Sequence, residues 1–190
     1  MPVDNSFLGG KIALRRSLLE GVPDPSVLDL FCGSGTIYSS VYRDRVAQYT
    51  GVDSVKVHDR DLCELQDNAS WVLSNDIGAY NVFDLDAYGS PWLLALKIAE
   101  KVGRRPWVLF ATDGSFQHLS RTSDNRIARS ILGIPKRMTV PGLGRWYMHQ
   151  MAGILELLAY RTMPYKQVLH AHNSVKTHYW GVAFGEFDRV

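Results

Sequence analysis

Residues 27–36 read VLDLFCGSGT, an apolar run that ends in a glycine turn. The run is long enough for one short strand, and Ile37 to Gln48 follows it with helical character, which gives the order strand, turn, helix. Working downstream, Tyr49 to Val52 reads as a second strand ending at Asp53, and Val57 to Asn68 carries charged and apolar residues at helical spacing. Trp71 to Ser74 reads as a third strand, Asn75 to Asn81 as a turn, and Val82 to Leu85 as a fourth strand running into DAYGSPW. Trp92 to Val102 is helical, and PWVLFATDG from Pro106 is a fifth strand, nearly all apolar as expected when both faces are covered. Upstream, Lys11 to Glu20 forms a short amphipathic helix stopped by Gly21, Pro23 and Pro25. After an irregular stretch to Arg145 come a helix over Trp146 to Tyr160 and two strands, Tyr165 to His170 and His178 to Phe187, that pair as a hairpin. This order predicts an α/β, Rossmann-like, doubly wound sheet of seven strands, mostly parallel with a reversed C-terminal strand, in one domain over 1–190.

Composition agrees with a packed core: 46% of residues are hydrophobic and 21% charged, which argues against disorder. No apolar run approaches a membrane span and the N-terminus lacks a signal-like pattern, so a cytoplasmic protein is expected. Cys32 and Cys63 are the only cysteines, too few for a disulfide framework, and are read as free thiols. The histidines lack metal-ligand spacing, so no metal is expected, and Trp146, Tyr147 and Met148 are read as packing a helix. The net charge of +2 hides an asymmetry. Between residues 115 and 150, Arg121, Arg126, Arg129, Lys136, Arg137 and Arg145 face a single acid, Asp124, leaving the rest of the chain net negative. Such a stretch attracts a polyanion, and Arg121, Arg126 and Arg129 are candidate phosphate contacts; the plainer alternative is a solvated face.

In a doubly wound sheet, ligands bind beyond the carboxyl ends of the strands, where a glycine turn lets backbone approach closely. A nicotinamide site needs a third glycine for its pyrophosphate, whereas here only Gly33 and Gly35 are present and Asp29 precedes them. Asp29 instead suits the cationic amino-acid portion of S-adenosylmethionine. Asp53, expected at the end of the second strand, is placed for the ribose hydroxyls, and Asn75 and Asp76, expected after the third, for the adenine. Phe31 and Asp84 complete the expected cofactor set. The alternative is that the glycines merely shape a turn and Asp53 caps a helix.

The fourth strand reads FDLDAYGSPW, and a period of two puts Asp84 and Asp86 on the same side. Methyl transfer to an exocyclic amine needs acceptors that aim the nitrogen lone pair at the methyl, and a platform for the base. Asp86, the Ala87 carbonyl and the Tyr88 ring match those needs, with Pro91 as a further substrate contact. Asp84 could equally be a structural acid facing a helix, and Gly89 and Pro91 could simply end the turn and start the next helix.

DLDAYGSP resembles the D-x-D-P-F-G-S-P segment of tRNA guanine-N2 dimethyltransferases. NDI at 75–77, ATD at 111–113, a helix near His149 and LHAHNSVKTHYWGVAF, with His178 and Tyr179 as its H-Y pair, run in the same order as in that family. The resemblance implies that Asp86 holds the guanine amino group and that Tyr88 stacks on the base. Ala87 stands where the family has proline, and FCGSGT replaces the usual glycine turn. Nothing in the chain corresponds to that family's C-terminal RNA-binding domain. The expected function is therefore transfer of a methyl group from S-adenosylmethionine to a base amino group, guanine N2 in tRNA or another structured RNA. DNA amino-methylation and an inactive cofactor-binding subunit are the alternatives, and a partner subunit or a homo-oligomer is a further expectation.

Overall fold

The computed structural model describes residues 7–55, 62–116, 140–173 and 177–187. In chain order they form helix α1 (Leu8–Leu19), β1 (Ser26–Asp29), a π-helical turn (Tyr38–Tyr42), β2 (Gln48–Asp53), β3 (Cys63–Leu65), α2 (Asn68–Ser74), β4 (Val82–Leu85), α3 (Trp92–Val102), β5 (Trp107–Asp113), α4 (Val140–Arg161), β6 (Tyr165–His172) and β7 (His178–Phe184). The strands make one sheet of seven in the order β3-β2-β1-β4-β5-β7-β6. β1 to β5 pair in parallel, while β7 runs antiparallel to both β5 and β6. The sheet is thus mixed and mostly parallel with a reversed last strand, as its sequence predicts.

Alternation along the strands divides the core in two. Leu28, Phe83, Leu85, Leu109, Trp180 and Phe184 point to one face, where they pack with residues of α2, α3 and α4. Val27, Val82, Val108, Phe110 and Tyr179 point to the other, against α1 and the π-helical turn. Every residue of β1, β4 and β5 is buried. Burial on both faces is why these strands read as nearly unbroken apolar runs.

Four expectations are corrected. Trp71 to Ser74 is the end of helix α2 and not a strand. Asp67 caps that helix by accepting from Ser70 N at 2.8 Å, and Asn68, Trp71 and Val72 share its buried face, a helical spacing that a short apolar run conceals. The third strand is Cys63–Leu65, half-buried to exposed at the edge of the sheet, and so without an apolar signature. Of the helix expected over 57–68, residues 57–61 lie outside the described residues.

The helix expected over 37–48 is replaced by the short π-helical turn, whose Arg43 N donates to Tyr38 O at 2.9 Å. Cys32 and Cys63, read as free thiols, are joined as a disulfide. Parallel pairing of β2 with β3 puts Cys63 beside Gly51, and a bond from Cys32 N to Val52 O (3.3 Å) ties the start of the glycine turn to the next residue of β2. A Cβ on Gly51 would lie 2.9 Å from that of Cys32, so glycine makes the approach possible.

Candidate active site at the carboxyl edge of the sheet

Asp29, Asp53, Asp84 and Asp86 all belong to the sheet face covered by α1 and the π-helical turn, a consequence of the period of two along β1, β2 and β4. Gly33 and Gly35 adopt positive φ (43° and 75°), a conformation open to glycine at little cost. The turn they form is braced from β2, since Gly33 N donates to Asp53 Oδ2 at 2.9 Å and Val55 N to Asp53 Oδ1 at 3.0 Å. Phe31 is half-buried against the opposite core. Asp29 is buried, and accepts from Tyr49 Oη at 2.8 Å and from Phe31 N at 3.2 Å. Burial, followed by repulsion from Asp84, pushes its carboxyl up to about 8, so near neutral pH it is mostly uncharged.

Asp84 is enclosed. Arg15 Nε and Nη2 each donate to it at 2.7 Å, and Tyr42 Oη donates at 2.5 Å. This is the structural, helix-facing acid of the two readings that its position allows, and the expected cofactor contact meets a carboxylate already held by three donors. Two residues on, Lys11 Nζ donates to Asp86 Oδ1 and Oδ2 at 2.8 and 2.9 Å. Burial works to raise the Asp86 pKa, but the charges of Arg15 and Lys11 and the bonds from Lys11 hold it below the usual carboxylate range. Beyond it, Ala87 is buried and Tyr88 is 64% exposed. Gly114, following β5, packs against this loop: its N donates to Gly89 O at 3.1 Å, and a Cβ there would lie 2.8 Å from Tyr88 O.

Pro91 is buried and caps α3, so it ends the loop and starts the helix and is not placed as a surface contact for substrate. Asn75 and Asp76 follow α2 instead of a strand, and α2 has carried the chain back toward the amino ends of the strands. There Lys101 Nζ donates to Asn75 O at 2.6 Å, Arg105 holds the carbonyls of Ile77, Gly78 and Tyr80, and Asn81 N donates to Ser26 O at 3.1 Å. The pair therefore sits at the opposite edge from the glycine turn. Gln66 and Asp67 follow β3, with Gln66 N donating to Asp53 O at 3.0 Å. Arg121, Arg126 and Arg129 lie outside the described residues.

On the other face of the same edge, Asp113 is buried. It accepts from Trp92 Nε1 at 2.7 Å, Tyr147 Oη at 2.8 Å and Ser115 N at 2.8 Å. Trp180 Nε1 donates to Tyr147 Oη at 3.3 Å, and His178 packs on the Tyr147 ring with centroids 4.3 Å apart. His170 stacks on Trp180 at 4.2 Å and exchanges a bond with His178 at 2.9 Å. Tyr147 and His178 are thus satisfied packing residues.

The sequence reading passed over Lys11, Arg15, Tyr42 and Tyr49. A cue existed for the first two. The buried face of α1 is Lys11, Leu14, Arg15, Leu18 and Leu19, a helical stripe with two cations at its positions, and cations there require buried acids opposite.

No family model matches the chain, and no curated protein matches it. Among solved structures it is similar to a protein of Lactococcus lactis described as a "putative hemolysin", with a TM-score of 0.58 and 10% identity over 92% of this chain and 86% of that one. It is also similar to a protein of Bordetella parapertussis described as a possible exported protein, with a TM-score of 0.51 and 10% identity over 94% of this chain and 68% of that one. Identities this low establish likeness of fold alone. No helix among the described residues is long and apolar enough to cross a membrane.

Proposed function

We propose that this chain is a Rossmann-like, S-adenosylmethionine-dependent methyltransferase acting on an exocyclic amino group of a nucleic-acid base, with guanine N2 in RNA the target implied by the DLDAYGSP resemblance. One observation carries the proposal. The braced glycine turn after β1 and the loop bearing Asp86 and exposed Tyr88 after β4 share the carboxyl edge of adjacent strands, the place where open α/β sheets bind ligands.

The cofactor fits this edge in part. Among the described residues, a Cβ on Gly33 would meet nothing nearer than Phe31 O at 3.7 Å. Asp53 accepts one backbone N–H on each oxygen and retains acceptor capacity for ribose hydroxyls. Asp29, mostly uncharged near neutrality, supplies hydrogen bonding and little negative charge. The adenine contact passes from Asn75 and Asp76 to the segment after β3, at Gln66 and Asp67.

When bound, the cofactor supplies an electrophilic methyl group on a cationic sulfur. Asp86 accepts hydrogen bonds from the target amine, the Ala87 carbonyl limits its rotation, and Tyr88 stacks on the base. Together they aim the nitrogen lone pair, so most of the rate enhancement is positional and electrostatic.

The test has two arms. Calorimetry should detect S-adenosylmethionine binding, weakened by about 1.5 to 3 kcal/mol in Asp53→Ala. Mass analysis of nucleosides from tRNA, rRNA and DNA treated with labelled cofactor should show a methylated amino base. Asp86→Ala should lower that transfer at least about a hundredfold while leaving cofactor affinity nearly intact. Absence of cofactor binding to the wild type would sink the proposal; label in DNA alone would move the substrate from RNA to DNA.

A further inference from the structure

The buried face of helix α1 bears two cations four residues apart, and β4 with the residue just beyond its end bears two carboxylates two residues apart. Four residues of helix rise about 6 Å and two of strand about 6.6 Å, so the spacings match. The structure uses that match as two rungs, Arg15 on Asp84 and Lys11 on Asp86. The inner rung has side chains only 2% and 1% exposed; the outer one opens to 10% and 18%, beside the Tyr88 loop. Leu14 of the same helix packs closely on Gly181 of β7, where a Cβ would be 2.6 Å from Leu14 Cδ2. The Lys11 ammonium is steadied further by the Tyr179 ring, 5.4 Å from its centroid.

The two rungs do different work. The Arg15 fork, with Tyr42, encloses the Asp84 carboxylate and fixes the helix to the sheet. A lysine offers a compact charge whose two bonds occupy about two of the four lone-pair sites of Asp86; with the Thr112 hydroxyl also drawn to the carboxylate, the remainder can accept from a primary amine. We propose that Lys11 is a positioning residue of the reaction, one that orients the Asp86 carboxylate and supplies its counter-charge so that it can receive the substrate amine. This rests on the methyl-transfer reading of the site.

Among the described residues, the charged and titratable groups on this face near Asp86 are Lys11 and Arg15 from α1, Asp84 from β4, Asp29 from β1, Tyr49 from β2, Tyr42 from the π-helical turn and Tyr179 from β7. Asp113 of β5 points to the other face, toward Trp92 and Tyr147. Lys11 and Arg15 are thus the cations of this cluster among the described residues, and Arg15 is committed to Asp84.

Carbon-13 NMR of the Asp86 carboxyl, assigned by its loss in Asp86→Asn, reads the inference without any need for catalysis. In Lys11→Met the carboxyl should titrate at least about one unit higher than in wild type, and in Lys11→Arg it should return toward the wild-type value. The acid limb of the methyl-transfer pH profile should move upward with it. An Asp86 titration unchanged in a folded Lys11→Met protein overturns the inference, as does failure of Lys11→Arg to restore it. If Lys11→Met does not fold, Lys11→Gln carries the same comparison. Undiminished transfer by Asp86→Asn would overturn the methyl-transfer reading of Asp86, an outcome distinct from any result of the Lys11 titrations.

Discussion

Asp84 and Asp113 lie on adjacent strands of one sheet and are each about 1% exposed, yet they are accommodated in opposite ways. Asp84 faces α1 and is held by the Arg15 guanidinium and one phenol; Asp113 faces α3 and α4 and is held by an indole, a phenol and a backbone N–H, all neutral. The first arrangement belongs to a charged network that extends to Lys11 and the part-buried Asp86. The second belongs to an aromatic cluster of Trp92, Phe116, Tyr147, His178 and Trp180. A buried carboxylate can be stabilised by a counter-charge or by several dipoles; both arrangements tie helices to the strand, but only the charged one delivers a second cation one turn away.

The largest effect should come from breaking the charged side. Arg15→Met leaves Asp84 buried without its cation and should cost about 3 to 5 kcal/mol in denaturant unfolding. A loss below about 1 kcal/mol would mean that α1 is held by its leucines and that the ion pair is incidental. The neutral side should yield less. Tyr147→Phe removes one of three donors to Asp113 and leaves Trp180 Nε1 without its acceptor, for about 1 to 3 kcal/mol. If it costs as much as Arg15→Met, the distinction between the two networks fails.

The subtlest contrast is in pH dependence. Asp29, on the charged side, is raised to about 8, so the folded state keeps a proton that the unfolded state releases near pH 4. Its contribution is full below pH 4 and declines as the pH rises toward 8. His178, on the aromatic side, is lowered to about 4 by burial first and then by the neighbouring His170. Between about pH 4 and 6.5 the unfolded state binds the proton that folded His178 refuses, so this contribution grows with pH. Stability measured from pH 4 to 6.5 should therefore rise more steeply in Asp29→Asn than in wild type, and less steeply in His178→Gln. Slopes shifted in the same direction by both variants would refute the assignment of opposite electrostatics to the two faces.

The sequence by itself determined the alternation of strands and helices, the reversed terminal strand, the glycine turn and the placing of Asp84 and Asp86 on one side. These follow from local periodicity and from glycines whose conformations are local requirements. It misassigned the third strand because β3 is three residues long and half-exposed at an edge, whereas the apolar residues of the next helix resemble a buried strand. That error displaced Asn75 and Asp76 to the wrong edge of the sheet. What Arg15 does for Asp84, and Lys11 for Asp86, was decided only by tertiary structure, since the partners are separated by 69 and 75 residues. A cation on the buried stripe of α1 announces that an acid must lie opposite, but which acid depends on where the helix crosses the sheet. At that crossing Leu14 packs against Gly181, on a strand near the other end of the chain.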